Sequence, residues 1–159
     1  MVTMREAARD FLGQKNIAVV GVSRDPKKTA NYIYKKLRSL GYSLFPVNPN
    51  TSNVEGDICY RDLKSIPAKL DGVFIITKPE ATENVVKECA ELGIKRVWMH
   101  KGIDQKAGSV SNEAVDFCHK HGITVIPGGC PMMYCRHADF GHRFFRWLYD
   151  IGNKLPKEV

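Results

Sequence analysis

No stretch of this sequence approaches the roughly 18 consecutive apolar residues that cross a bilayer. The longest unbroken apolar run near its start, Ile17 to Val20, is closed by Gly21. Residues Met1 to Gly13 mix Arg5 and Arg9 with Glu6 and Asp10. They lack the apolar core of a secretory signal and the acid-poor character of a mitochondrial one. Cysteine is sparse: five residues, at 59, 89, 118, 130 and 135, an odd number at wide spacings that builds no disulfide framework. Cys89 and Cys118 fall in the apolar phase of helical segments and read as buried thiols. These absences make the cytoplasm the expected compartment. Acid is also in short supply. Seventeen Asp and Glu against 24 Lys and Arg leave a formal charge of +7. Such a balance favours an anionic partner: nucleic acid, acidic lipid or a phosphate-bearing ligand.

What is present fits one domain. The chain has 159 residues, 43% hydrophobic and 26% charged, which excludes a disordered tail or a fibrous repeat. It shows no linker, repeat or low-complexity segment, so residues 1–159 are expected to form a single domain with its core at 10–135.

Short apolar runs alternate with helical patterns. Asn16 to Val22 reads as a buried parallel strand. A helical stretch follows, with Ile33, Leu37 and Leu40 on one face, then a strand at Tyr42 to Val47. Asp71 to Thr77 is the next strand, and Pro79 suits the first turn of the helix after it. Val85, Val86, Cys89 and Leu92 carry that helix's period. Lys95 to Met99 is a strand, Ala114, Phe117, Cys118 and His121 mark a helical face, and Ile123 to Ile126 is the last strand. Three helices are expected to end at Gly41, Gly93 and Gly122 in left-handed caps. The alternation predicts an α/β fold: a doubly wound, Rossmann-like parallel sheet of five or six strands with helices on both faces. The expected strand order is 3-2-1-4-5-6, with a short strand near Asp57 to Tyr60 at the edge. Helices at about Arg5 to Leu12 and Ala138 to Ile151 flank the sheet.

Ligands of such sheets bind beyond the carboxyl ends of the strands, where strand order reverses. The segments there are Gly21 to Lys28, Asn48 to Asn50, Thr77 to Pro79, His100 to Gly102 and Pro127 to Pro131. Arg24, Lys27, Lys28, Lys78, His100 and Lys101 therefore gather at one rim and, with helix N-termini, favour an anion. Gly21 either leaves room for a phosphate at the main chain or lets the strand pack closely. The ligand is not an ordinary nicotinamide dinucleotide. Its fingerprint needs Gly-x-Gly-x-x-Gly, but Ser23 and Pro26 occupy the second and third glycine places, and no acid ends the second strand at Val47-Asn48-Pro49.

Five segments carry a resemblance: Ile17 to Lys27, Tyr42 to Thr51, Phe74 to Glu80, Val97 to Ile103 and Ile126 to Tyr134. The chain resembles the small stand-alone CoA-binding proteins, whose fold is the CoA-binding Rossmann domain at the start of the succinyl-CoA synthetase α subunit. The resemblance implies that coenzyme A is the ligand. It implies that Gly21, Val22 and Ser23 meet the pyrophosphate or the start of the pantetheine, while the cationic rim makes Arg24, Lys27 and Lys28 the candidates to hold phosphates. Asn48 and Pro49 would flank the adenosine. Thr77, Lys78 and Pro79 would line the crossover, and His100 and Gly102 the pantetheine channel. Cys130 belongs to the family's Cys-Pro turn. The synthetase's phosphohistidine chemistry does not carry over, so the expected role is non-catalytic binding of CoA or an acyl-CoA, as monomer or homodimer, with an acyl-CoA enzyme as the candidate partner.

Other constellations have weaker chemistry. Cys130, Cys135, His137 and His142 are suitable zinc ligands, but their spacing matches no strong motif, and no metal is expected. Cys130 could form a mixed disulfide with CoA or be an unreactive loop thiol. Phe140, Phe144, Trp147, Leu148 and Ile151 share a helical face that could meet a membrane, a nucleic acid, the sheet or a second subunit. Packing is the expectation, with neither membrane nor nucleic acid as partner. Two rivals to CoA binding stand at this point: an NAD(P)-dependent oxidoreductase with an atypical fingerprint, and an adaptor for nucleic acid or an acidic partner.

Overall fold

The computed structural model describes residues 2–102 and 108–135. The expected C-terminal helix at 138–151, with His137 and His142, lies outside the described residues. Helix α1, Met4–Leu12, begins in a capping box: the Thr3 hydroxyl accepts from the Glu6 N–H, and the Glu6 carboxylate accepts from the Thr3 N–H. Strand β1, Asn16–Val20, helix α2, Thr29–Ser39, and strand β2, Ser43–Val47, follow. Next come the short strands β3, Asn53–Val54, and β4, Asp57–Ile58. The second half contains β5, Gly72–Ile75, α3, Pro79–Glu91, β6, Arg96–Met99, α4, Asn112–Lys120, and β7, Thr124–Pro127, closed by a 3-10 turn at Pro131–Met133.

The main sheet is parallel, in the order β2-β1-β5-β6-β7. This is the expected doubly wound order for five strands. The expected edge strand near Cys59 is not one. Glu55 and Gly56 both take positive φ, 50° and 83°, and fold β3 back on β4 as an antiparallel hairpin. The segment touches β2 through a single bridge, in which the Tyr60 N–H donates to Pro46 and the Asn48 N–H to Tyr60.

Strand side chains alternate between two buried layers, because each face of a parallel sheet is covered by helices. Ile17, Val19, Phe74, Trp98 and Ile126 pack with Met4, Ala7, Ala8 and Phe11 of α1, with Ile33, Tyr34 and Leu37 of α2, and with Met132 and Met133. Ala18, Val20, Val73, Ile75, Val97, Met99 and Val125 pack with Val86 and Cys89 of α3, with Ala114 and Cys118 of α4, and with Leu63 and Ile66. Leu92 departs from its expected face: it is the C-cap of α3 and is exposed. Trp98 is fully buried and meets Phe11, Phe74 and Tyr134 edge-on, while its indole N–H donates to the Gly128 carbonyl at 2.9 Å. Helices α2, α3 and α4 end as expected: Gly41, Gly93 and Gly122 have φ of 92°, 69° and 62°. In each, the next residue's N–H bonds back to Leu37, Cys89 or Cys118 respectively.

Candidate functional site

The register of the sheet places the site. Val47, Val20, Ile75, Met99 and Pro127 stand side by side in one row across the five strands. The chain therefore leaves the sheet along a line at Asn48, Gly21, Ile76, His100 and Gly128. Between β1 and β5 the winding reverses, since β1 leads through α2 to β2 and β5 leads through α3 to β6 on the other face. Open α/β sheets bind their ligands where two such connections diverge.

Gly21 stands at that point. Its N–H donates to Val47, and the Ile76 N–H donates to Val20, so the strand ladders run up to it on both sides. Val22 is buried, so only its main chain can face a ligand. Its carbonyl accepts from Asn48 Nδ2 at 2.9 Å, and Asn48 Oδ1 accepts from the Asn50 N–H. Asn48 thus ties the first two loops together. Beyond it Pro49 is exposed. Ser23 is half-buried, whereas Arg24, Lys27 and Lys28 are exposed. Asp25 organises the bend between them, taking the Ser23 hydroxyl as acceptor for its N–H and accepting from the Lys27 N–H. The sequence reading missed Asn31, which is buried on α2 and holds Ser23. A polar residue on an otherwise apolar helical face was its available signal.

Helix N-termini distinguish the centre of the site from its flanks. Outer helices α1 and α4 are capped by Thr3 and Ser111, whose hydroxyls accept from Glu6 and Ala114. The helices that follow β1 and β5 begin instead at Lys28 and Lys78, with no side-chain cap bond. Both lysines have the extended backbone of an N-cap, φ −71° and −68°. A cation at the positive end of a helix dipole is unfavourable by itself, and a bound anion reverses that balance.

The other rim is tied by its own hydrogen bonds. The Thr77 N–H donates to Ser109 Oγ at 2.9 Å, and the Thr77 and Thr82 hydroxyls bond at 3.1 Å. Lys78 is exposed and Pro79 is half-buried at the first helical position. His100 is buried, edge-on to Phe74, and its carbonyl accepts from the Ser109 N–H. Lys101 and Gly102 are half-buried, and Lys101 bridges Gly108. Cys130 is buried at the start of the 3-10 turn on the α1 and α2 layer.

Thiol chemistry is disfavoured at the remaining cysteines. Burial raises Cys59, pushes Cys118 up to about 12 and Cys135 to about 11, and lifts Cys89 far above the usual thiol range. Among the described residues there is no group of three or more His, Cys, Asp or Glu placed to hold a metal ion, and no helix is long and apolar enough to cross a membrane.

The sequence pattern of the CoA binding domain family matches residues 15–136, a span containing the entire sheet. The chain belongs to this family. It is 30% identical over 139 residues to acetate–CoA ligase (ADP-forming) II subunit alpha of Pyrococcus furiosus. That match covers 84% of this chain but 30% of the ligase subunit, so the chain spans under a third of that relative's length. The uncharacterized protein YneT of Bacillus subtilis is 31% identical over 116 residues, covering 73% of this chain and 82% of YneT. A solved structure of a hypothetical protein from Pyrococcus horikoshii OT3 superposes with a TM-score of 0.75 at 31% identity, covering 82% of this chain and 88% of that one. The CoA-binding family thus includes both small proteins of this size and domains of larger ligases.

Proposed function

We propose that this chain binds coenzyme A or an acyl-CoA at the crevice between β1 and β5, as a carrier or sensor without chemistry of its own. The observation that carries the reading is the pair of central helices beginning at exposed, uncapped Lys28 and Lys78, while the outer helices have hydroxyl caps. In this reading the pyrophosphate lies against the main chain of Gly21 to Ser23, facing Arg24 and Lys28. The adenosine lies by Asn48 and Pro49, and the pantetheine runs past Thr77, Lys78 and Pro79 toward His100, Gly102 and Cys130. An enzyme that makes or consumes acyl-CoA is the partner that such a role calls for. The oxidoreductase reading is supported less well. An acid is wanted at the end of β2 for a nicotinamide dinucleotide, and Asn48 stands there with its amide used between loops.

Calorimetric titration tests the proposal. CoA is expected to bind with a dissociation constant in the micromolar range or below, while NADH and NADPH give no comparable heat. Binding of NADH as tight as that of CoA would overturn it.

A further inference from the structure

Both main-chain groups of Ser23 are held by one side chain. The Ser23 N–H donates to Asn31 Oδ1 at 2.9 Å, and Asn31 Nδ2 donates to the Ser23 carbonyl at 2.7 Å. Asn31 is 1% exposed, two residues into α2. Its nitrogen has a second acceptor, Oε1 of Glu55, at 2.8 Å. The requirement is for one acceptor and two donors from a short planar group, and an amide supplies all three. A carboxylate in its place would donate nothing and would face two acceptors.

Glu55 is held in place for this contact. It lies in the turn of the β3–β4 hairpin with φ 50°, the one non-glycine residue of positive φ among the described residues. Its carbonyl accepts from Arg38 Nη1, and its carboxylate is 3.6 Å from Lys35 Nζ and largely buried. The neighbouring Asp57 accepts from Tyr34 and Arg38, so the hairpin is pinned along α2. A carboxylate close to a phosphate loop works against an anion. Its position is explained if the acceptor it offers Asn31 is what matters.

We propose that Asn31 is a positioning residue for the phosphate groups of CoA, setting the main chain at Ser23, and that Glu55 orients its amide. This rests on the CoA reading above. Asn31 need touch no ligand atom. The hairpin, far along the sequence from the loop, thereby helps to determine affinity.

Titration of the 159-residue chain with CoA, alongside urea melts and amide exchange at Ser23, tests this. Asn31→Asp is expected to weaken CoA binding about tenfold or more. Glu55→Ala is expected to weaken it about threefold and to speed exchange at Ser23. Glu55→Gln keeps an acceptor oxygen, so it should retain native affinity and native exchange. If Asn31→Asp loses its cooperative melt, the two Glu55 variants decide alone. Native affinity in a folded Asn31→Asp or in Glu55→Ala overturns the proposal. So does a loss in Glu55→Gln as large as in Glu55→Ala, because charge rather than the hydrogen bond would then matter. If the native chain itself does not bind CoA, it is the underlying reading that fails.

Discussion

A Cβ atom added to Gly21 would lie 2.1 Å from the carbonyl oxygen of Ile76. The φ of Gly21 is +108°, so a larger residue would be strained as well as crowded. The room at this glycine is occupied by the main chain that continues β5. This favours close packing over ligand access as the reason for glycine here. Gly21→Ala is therefore expected to destabilise the fold by about 3 kcal/mol, read as a lower urea midpoint. A variant as stable as the native protein would show that the strands can separate at the crevice.

Lys28 and Lys78 should trade stability for binding. Both have N-cap backbone geometry without a capping side chain. Lys28→Asp or Lys78→Asp adds a cap acceptor and a charge that suits the helix dipole. Each should stabilise the ligand-free protein by about 1 kcal/mol. Each should also weaken CoA about tenfold by removing a cation from the phosphates. Thermal melts with and without CoA measure both effects, and tighter CoA binding in either variant would remove that lysine from the site.

Acid should unfold the protein partly through Asp57. Burial raises the pKa of this carboxyl, but hydrogen bonds from Tyr34 and Arg38 and the Arg38 charge outweigh it, and the net shift is downward. A depressed folded pKa contributes stability that is complete above the unfolded value, about 3.9, and is lost as pH falls through the folded value. Tyr34→Phe removes one donor at 2.5 Å. It should lower stability at pH 7 by about 1 kcal/mol and make the loss below about pH 4 shallower. Urea melts across that range check this, and an unchanged acid slope would dismiss the Asp57 contribution.

The chain alone is expected to make no acetyl-CoA from ATP, CoA and acetate. It corresponds to 30% of the ligase subunit it resembles. His100, just after β6, is buried and packed edge-on against Phe74. Product above a heat-inactivated control, followed by chromatography, would refute the proposed binding-only role.

Much of this was legible from local pattern. Apolar runs ending at strand row positions, and Gly41, Gly93 and Gly122 after their helices, depend on neighbours within a few residues. Their reading therefore survives folding. A short strand is legible near Asp57 to Tyr60, and β4 lies there, but the positive φ at Glu55 and Gly56 pairs it with β3 in a hairpin instead of adding it to the edge of the main sheet. Asn31 was passed over because its partners Ser23 and Glu55 come from separate loops, 8 and 24 residues away.

The sequence by itself determined the layered α/β architecture and the family. Burial of both sheet faces demands apolar strands, and the crossover helices demand their own period, so the alternation is written into composition at short range. It also determined that cations follow the strands at Arg24, Lys28, Lys78 and Lys101. Only the tertiary structure decided which groups meet there. The level row from Val47 to Pro127 sets Gly21 against Ile76 and Asn48 against Val22, and the β3–β4 hairpin sets Glu55 against Asn31. Those pairings arise from strand register and from one hairpin turn, which bring distant segments within hydrogen-bond reach, and no local spacing in the chain specifies them.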